Sequence, residues 1–186
     1  MLNSRAGLLV VVVCVFCWLA GTPRFELVQA APPPDPCPTP ATTILVVRHT
    51  DRAGKVDSLS AAGVARAQAL VNVVGRANVK AIYHSDTNRT RRTAEPLATV
   101  LGIKPEEYPA KEVDTLIARI LAAHEGETVL VVGHSNTVPL IIAAAGGPII
   151  ADLPDDEFDQ LFIVIVPPCR NGPVKLVELE YGEASP

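Results

Sequence analysis

From Thr42 to the C terminus, short runs of aliphatic residues alternate with alanine-rich stretches in which apolar residues have helical spacing. The aliphatic runs predict five β-strands, over residues 43–47, 79–83, 128–132, 161–166 and 174–179. The alanine-rich stretches predict four helices, over residues 61–76, 89–101, 113–123 and 137–145. Strands that alternate with helices are typical of a three-layer α/β fold, in which helices flank a mostly parallel central sheet.

The first predicted helix follows Ser60, whose hydroxyl is suited to cap it. Five apolar residues at helical spacing are expected to face the core, namely Val64, Ala67, Leu70, Val71 and Val74. Later in the chain, the segment from Asp152 to Asp159 contains five acidic residues. We interpret this segment as a solvated loop rather than a metal site.

The first thirty residues have the layout of a signal peptide. One arginine precedes an uncharged, strongly apolar run from Ala6 to Ala20, and small or aliphatic residues follow up to Ala30. The segment is either cleaved after Ala30 or retained as an uncleaved membrane anchor over residues 6–21, and the sequence leaves both outcomes open. Either outcome predicts an extracytoplasmic domain, periplasmic or secreted, with membrane contact only through an uncleaved N-terminal segment.

Residues 31–41 are rich in proline and predict an extended spacer, so the folded domain is expected over residues 42–186. Two cysteines remain after the leader, Cys37 in the spacer and Cys169 after a late strand. In an oxidising compartment an even pair is consistent with a disulfide, and two free thiols are the alternative.

Composition and charge exclude several functions. The chain has 186 residues, a mean hydropathy of +0.28, 48% hydrophobic residues and a net charge of −4. An acidic chain lacks the broad positive field that binds nucleic acid. The length suits one domain with its own core, and the high apolar content excludes a disordered chain.

Unusual polar residues follow three of the predicted strands. Arg48 and His49 end the first strand, a segment from His84 to Arg89 follows the second, and His134 follows the third. Because ligands bind at the carboxyl ends of strands in open α/β sheets, we expect these residues to converge.

The converging residues point to phosphate chemistry. Arginine forks and helix N-termini bind phosphoryl oxygens well. A neutral imidazole can attack phosphorus to form a phosphohistidine that water hydrolyses, and a second, charged imidazole can stabilise the oxygens. The pattern therefore predicts a phosphate-ester substrate, without a metal or another cofactor.

These motifs resemble those of the histidine phosphatase superfamily, which includes the phosphoglycerate mutases and many small phosphatases. Arg48-His49 is similar to the family's Arg-His-Gly signature, with Thr50 in place of glycine. The segments 85–94 and 132–135 resemble the parts of the family that carry its second arginine and second histidine. The resemblance implies that His49 is the nucleophile and that Arg48, Arg89 and His134 are catalytic residues that complete the phosphate pocket.

The resemblance has a geometric consequence. Successive side chains of a strand point to opposite faces, so Arg48 and His49 reach one pocket only if the backbone turns near residue 48. Replacement of the family's glycine by Thr50 is expected to crowd the loop, since glycine relaxes backbone limits.

The proton donor to the leaving group stays open. Asp51, in the same loop as His49, is one candidate. Glu112 and Asp114, near the start of the third helix, are two others, and the absence of any dedicated acid is the remaining possibility.

Other classes of protein fit less well. The segment 133–137 resembles the nucleophile elbow of α/β-hydrolases, but no histidine follows His134 to complete such a triad. A phosphatase is favoured over a mutase, because the segment between Gly102 and Thr128 is short for a lid. The main alternative is an extracytoplasmic module that binds or senses a phosphoryl ligand without turnover. The physiological substrate and the oligomeric state are not readable from the sequence.

Overall fold

The computed structural model describes residues 39–185, and they form a six-stranded mixed sheet flanked by helices. The predicted leader (1–30), most of the spacer (31–41) and Cys37 lie outside the described residues. The strands are β1 (Thr42–Arg48), β2 (Val79–Ser85), β3 (Glu106–Tyr108), β4 (Thr128–Gly133), β5 (Gln160–Val166) and β6 (Lys175–Glu180).

The strand order is β3-β2-β4-β1-β5-β6. The four strands from β3 to β1 pair in parallel, whereas β5 and β6 pair antiparallel to their neighbours. The predicted three-layer α/β fold with a mostly parallel sheet is confirmed. The prediction missed β3, because three residues are too few to show a strand pattern.

The four helices lie close to their predicted positions. They are α1 (Ala61–Val74), α2 (Asn88–Leu101), α3 (Val113–Ala123) and α4 (Val138–Ala144), and a short 3₁₀ turn covers Pro168–Arg170. Ser60 caps α1 as expected, since its Oγ accepts a hydrogen bond from the Gly63 amide at 3.1 Å. None of the helices in residues 39–185 has the length and apolar content needed to cross a membrane.

Alternate side chains of β1 enter two different cores. Ile44 and Val46 pack with α3 and α4 on one face of the sheet, whereas Leu45 and Val47 pack with α1 and α2 on the other. The parallel strands are buried on both faces, which explains why they read as continuous aliphatic runs.

Two expectations from the hydrophobic pattern need correction. Val64 is 49% exposed, because it lies at the edge of the α1 stripe, and Gly63 and Arg66 take buried positions instead. The acidic segment 152–159 is not simply a solvated loop. Leu153 and Asp159 are buried, and the Asp159 carbonyl accepts a hydrogen bond from the Tyr181 amide at 2.8 Å.

Candidate active site

The first part of the site is the point where β1 ends. Arg48 makes the last pairing of β1, opposite Gly133, and the His49 amide still donates to the Gly133 carbonyl at 2.9 Å. Beyond this bond the chain leaves the sheet, and Arg48 and His49 line the same cavity. The turn near residue 48 that the sequence required is present.

Arg48 is held by main-chain carbonyls of the acidic segment. Its Nη1 donates to the carbonyls of Pro154 and Glu157 at 2.6 and 2.8 Å, and its Nη2 donates to that of Asp155 at 3.0 Å. The ring of Phe158 covers the guanidinium, with its centroid 4.1 Å from Cζ. Only 4% of Arg48 is exposed, and its buried Nε has no hydrogen-bond partner in the described part of the chain.

His49 is fixed in one tautomer. Its Nδ1 lies 2.9 Å from the carbonyl oxygen of Thr50. Since a carbonyl only accepts, Nδ1 carries the proton and the lone pair is on Nε2. Burial, aided by the charges of Arg48 and Arg89, lowers the pKa of His49 to about 3. His49 is therefore a neutral imidazole at physiological pH, the state that a nucleophile requires.

Thr50 fits where the family signature has glycine. Its backbone is not in the left-handed region, and its side chain is fully buried. The Thr50 Oγ1 donates to the Gly63 carbonyl at 2.8 Å, and its amide donates to the Thr93 Oγ1 at 3.0 Å. Thr93 in turn donates to the carbonyl of Arg89 at 2.9 Å. The expected crowding is absent, and the hydroxyls tie the His49 loop to α1 and α2.

Arg89 projects from the first turn of α2. Its Nη1 lies 3.1 Å from Asp57 Oδ1, and its Nη2 donates to His134 Nδ1 at 3.3 Å. Asp57 also accepts from the amides of Asn88 and Arg89, at 2.8 and 3.1 Å, so it caps the helix from a neighbouring loop. The Nε of Arg89 is buried without a partner among the described residues.

His134 belongs to a chain of hydrogen bonds with a defined direction. Thr90 Oγ1 donates to the Ser85 carbonyl at 2.8 Å and therefore accepts from Ser85 Oγ at 3.1 Å. Ser85 Oγ must then accept from His134 Nε2 at 2.7 Å. This direction leaves His134 Nδ1 as the acceptor for Arg89, which matches a neutral ring.

The sequence suggested that the second imidazole can be charged. In this structure burial and the charge of Arg89 lower the pKa of His134 to about 4. His134 is therefore neutral at physiological pH. Its ring packs edge-on against His49, with 5.5 Å between the centroids.

The four predicted residues line one cavity of about 540 Å³. Arg48 and His49 come from the end of β1, Arg89 from the first turn of α2 and His134 from the end of β4. The cavity also contains Arg52, Lys111, Ser135, Asn136 and Asp155. The strand order explains the convergence, because β2, β4 and β1 are neighbours whose carboxyl ends share one edge of the sheet. The two guanidinium groups can bind the oxygens of a phosphoryl group. The neutral imidazole beside them can attack its phosphorus atom.

The structure does not bring the three candidate acids to the cavity. Asp51 pairs with Arg66, with 2.7 Å between Oδ2 and Nε. Burial alone would raise the pKa of Asp51, but the hydrogen bond and charge of Arg66 outweigh burial and lower it. Glu112 and Asp114 are exposed at the start of α3 and do not line the cavity. The one acid in the lining is Asp155, whose side chain is 93% exposed.

Three residues to which the sequence assigned no role support the site, and of these only Thr93 lies in one of the motifs, the segment 85–94. Asp57 holds Arg89, Thr93 links two loops, and Phe158 covers Arg48. An aromatic residue inside an acidic segment is a signal that could have drawn attention to Phe158. Thr93 was part of the family motif, but Asp57 carries no sequence signal, because it lies 32 residues before the Arg89 that it contacts.

No group of three or more metal-binding side chains is present in residues 39–185. Cys169 is disulfide-bonded, and because the other three cysteines all lie before residue 39, its partner is outside the described residues. The predicted pairing with Cys37 therefore stays a prediction.

Comparison with known proteins bears on the family. A family model described as the histidine phosphatase superfamily, branch 1, matches residues 44–112, which include Arg48, His49 and Arg89. No curated protein matches the chain in sequence.

Several solved structures share the fold. A protein histidine phosphatase, SixA, solved with tungstate, has 15% identity and a TM-score of 0.59, and the match covers 74% of this chain and 96% of that one. The α-ribazole phosphatase from Shigella flexneri has 15% identity and a TM-score of 0.58, with coverages of 74% and 96%. A phosphoglycerate mutase from Plasmodium falciparum has 20% identity and a TM-score of 0.52, with coverages of 79% and 94%. The predicted resemblance to the histidine phosphatase superfamily is thus confirmed, by the family model over residues 44–112 and by the fold of the described domain.

Proposed function

We propose that this protein is a histidine-type phosphatase that hydrolyses a phosphate monoester through a phosphohistidine on His49. The observation that carries the proposal is the hydrogen bond of 2.9 Å from His49 Nδ1 to the Thr50 carbonyl. His49 lines a cavity that also contains Arg48 and Arg89. This bond leaves the Nε2 lone pair available for attack on phosphorus.

The reaction has two steps. In the first, the Nε2 lone pair of His49 forms a bond to phosphorus, the ester P–O bond breaks, and the leaving oxygen keeps the electron pair and takes a proton from solvent. In the second, water attacks phosphorus, the P–N bond breaks, and its electron pair returns to Nε2 as phosphate and a proton leave. Arg48 and Arg89 stabilise the negative phosphoryl oxygens in both steps.

The lining of the cavity favours substrates with good leaving groups. A buried carboxyl group that could protonate an alkoxide is not found among the lining residues in the described part of the chain, since Asp155 is almost fully exposed. Aryl phosphates release a phenolate without prior protonation, and phosphohistidine in a protein releases a neutral imidazole once its free ring nitrogen takes a proton from solvent, so neither substrate needs a carboxylic acid in the cavity. Two proteins that share the fold are named as a protein histidine phosphatase and a phosphohistidine phosphatase, which agrees with phosphohistidine as a substrate.

Phosphatase activity is favoured over mutase activity. The segment between α2 and β4 contains only β3, α3 and short connections, without an inserted lid. A mutase must retain its phosphorylated intermediate and exclude water, whereas a phosphatase needs water at the phosphohistidine. The predicted extracytoplasmic location is part of the proposal and places the phosphorylated substrate, a small molecule or a protein, outside the cytoplasm.

The decisive experiment is an assay of the full-length protein with p-nitrophenyl phosphate, together with trapping of the phosphoenzyme by an alkaline detergent quench, because phosphohistidine is stable in base. We expect turnover and a trapped acid-labile phosphoryl group on His49, both abolished by His49→Gln. The matched control is His84→Gln. His84 also binds the carbonyl of its following residue, at 2.8 Å, but lines a different cleft. Activity that survives His49→Gln would refute the mechanism.

The second candidate is a binding or sensing module without turnover. The neutral state of His134 favours it, because a neutral ring adds no positive charge to the cavity. Binding of inorganic phosphate without hydrolysis of aryl phosphates or phosphohistidine peptides would support the module over the phosphatase.

A further inference from the structure

Two cations in the cavity have no role in the reaction proposed above. Arg52 and Lys111 both line the cavity, and both are exposed. Neither forms an ion pair with any residue from 39 to 185. In the proposed reaction Arg48 and Arg89 bind the oxygens of the phosphoryl group. Arg52 and Lys111 are therefore available to bind another part of the substrate.

The backbone of Arg52 is fixed. Arg52 forms a bridge to the buried Leu59, and the Ala53 amide donates to the Ser58 carbonyl at 2.9 Å. This small hairpin follows directly after the His49 loop, so the Arg52 side chain starts from a defined position beside the nucleophile.

Lys111 also starts from an ordered turn. The Ala110 amide donates to Asp86 Oδ1 at 3.3 Å, and the Glu112 amide donates to the Pro109 carbonyl at 2.9 Å. Arg52 and Lys111 therefore reach the same cavity from two separate loops, one after β1 and the other after β3.

The charge of the cavity opposes that of the chain. Four cationic side chains and one acidic side chain line it, although the chain as a whole carries a net charge of −4. After burial, the charges of Arg52 and Arg89 are among the causes that lower the pKa of Arg48, so these like charges interact. Their mutual repulsion is unfavourable and is offset by a ligand that supplies several negative charges.

The size of the cavity agrees with a ligand larger than phosphate. A volume of about 540 Å³ lies within the range of pockets that enclose whole small molecules. Space therefore remains for a substituent that extends from the phosphoryl group toward Arg52 and Lys111.

We propose that Arg52 and Lys111 form a second anion-binding subsite, which selects phosphate monoesters that carry a further anionic group such as a carboxylate. This inference rests on the proposed function only in that the cavity accepts a phosphoryl group. It concerns recognition and not the chemical step.

Binding of two matched phosphonates tests the subsite without any need for turnover. The probes are 3-phosphonopropionate, which has a terminal carboxylate, and propylphosphonate, which has a methyl group there. Isothermal titration of the full-length protein is expected to give a Kd about tenfold lower for 3-phosphonopropionate. In the double variant Arg52→Ala/Lys111→Ala we expect the ratio of the two Kd values to fall to about one.

Two control variants make the test specific. Lys55→Ala removes an exposed cation from the Arg52 hairpin that does not line the cavity, and should retain the tenfold preference. The exchange Arg52→Lys/Lys111→Arg keeps both charges and should also retain it. Three results would each overturn the subsite. They are equal Kd values in the wild type, no binding of either probe, and a preference that survives in the double alanine variant. A preserved preference in a protein that hydrolyses no phosphoester would overturn the proposed function alone.

Discussion

The carboxylate of Asp57 binds Arg89 in two ways, because its Oδ1 accepts a hydrogen bond of 3.1 Å from the Arg89 amide and another of 3.1 Å from its guanidinium Nη1. One acidic side chain thus fixes the first turn of α2 and the orientation of the arginine that the turn presents to the cavity. Asp57 is a positioning residue, since it does not line the cavity itself.

We expect Asp57→Ala to lower kcat/KM for p-nitrophenyl phosphate about tenfold, because Arg89 loses a charge-assisted hydrogen bond. Loss of the helix cap should also lower the free energy of unfolding by about 1 kcal/mol. Glu95→Ala, which removes an exposed pairing with Arg91 on the same helix, is the control and should change neither value appreciably. A destabilised variant with unaltered kcat/KM would show that Asp57 is only a cap.

The hydroxyl of Thr93 connects the nucleophile loop to the helix of Arg89. Thr93→Val keeps the shape of the side chain but leaves the buried Thr50 amide without an acceptor, which should cost about 1 to 3 kcal/mol of stability. We also expect a lower kcat, because both loops lose a common anchor. Thr99→Val on the same helix removes an exposed bond to the Glu95 carbonyl and serves as the control. Equal chemical denaturation midpoints for the two variants would contradict the prediction.

The lowered pKa of His49 predicts a pH dependence of stability. His49 stays neutral in the folded state down to a pKa of about 3, whereas in the unfolded chain it becomes protonated below about 6.5. The unfolded state therefore binds more protons below pH 6.5, and the folded state loses stability as the pH falls toward 3.

Between pH 7 and pH 5 this difference amounts to about 2 kcal/mol for one group. His49→Gln should remove that part of the loss, so its urea unfolding free energy should fall less over this interval than that of the wild type. Parallel curves for the two proteins would show that the pKa of His49 is not lowered in the folded state.

The pairing of Asp51 with Arg66 predicts a structural role for Asp51 and no role in proton transfer. Arg66 is 5% exposed and also donates to the carbonyls of Tyr181 and Glu183, at 3.2 and 2.5 Å. Removing its carboxylate partner leaves a buried charge unpaired, so Asp51→Asn should destabilise the fold by about 3 kcal/mol.

The chemical step should not change in Asp51→Asn. We expect plots of log kcat/KM against leaving-group pKa, measured for a series of substituted phenyl phosphates, to be parallel for the wild type and the variant. A steeper slope for Asp51→Asn, with the largest loss on the poorest leaving groups, would instead identify Asp51 as the acid.

Several parts of this protein could be predicted from local patterns. The aliphatic run ending at Val47, the Ser60 cap and the span of α3 depend on neighbours close in sequence, and each was found within one or two residues of its predicted place. Short-range preferences and apolar periodicity decide such features. The mistake at Val64 shows the limit, because the edge of an apolar stripe is set by the neighbour against which the helix packs.

The candidate active site likewise has some features that could be predicted from the sequence and others that could not. The types of residue at the strand ends were sufficient to predict that Arg48, His49, Arg89 and His134 are candidates, and the parallel sheet accounts for their convergence. The sequence could not show whether Asp51 faces the cavity as an acid or pairs with another residue. Its partner Arg66 is fifteen residues away and projects from a helix whose rotation depends on packing.

The sequence by itself determined the alternation of strands and helices, the residues available for phosphate chemistry and the acidic net charge against which a basic cavity stands out. Only the tertiary structure decided the tautomers of His49 and His134, the clamp of main-chain carbonyls on Arg48, and the pairing that removes Asp51 from the cavity. The physical reason is that local propensities act between near neighbours along the chain. Protonation and orientation depend instead on burial and on hydrogen-bond partners that come together only when distant segments pack.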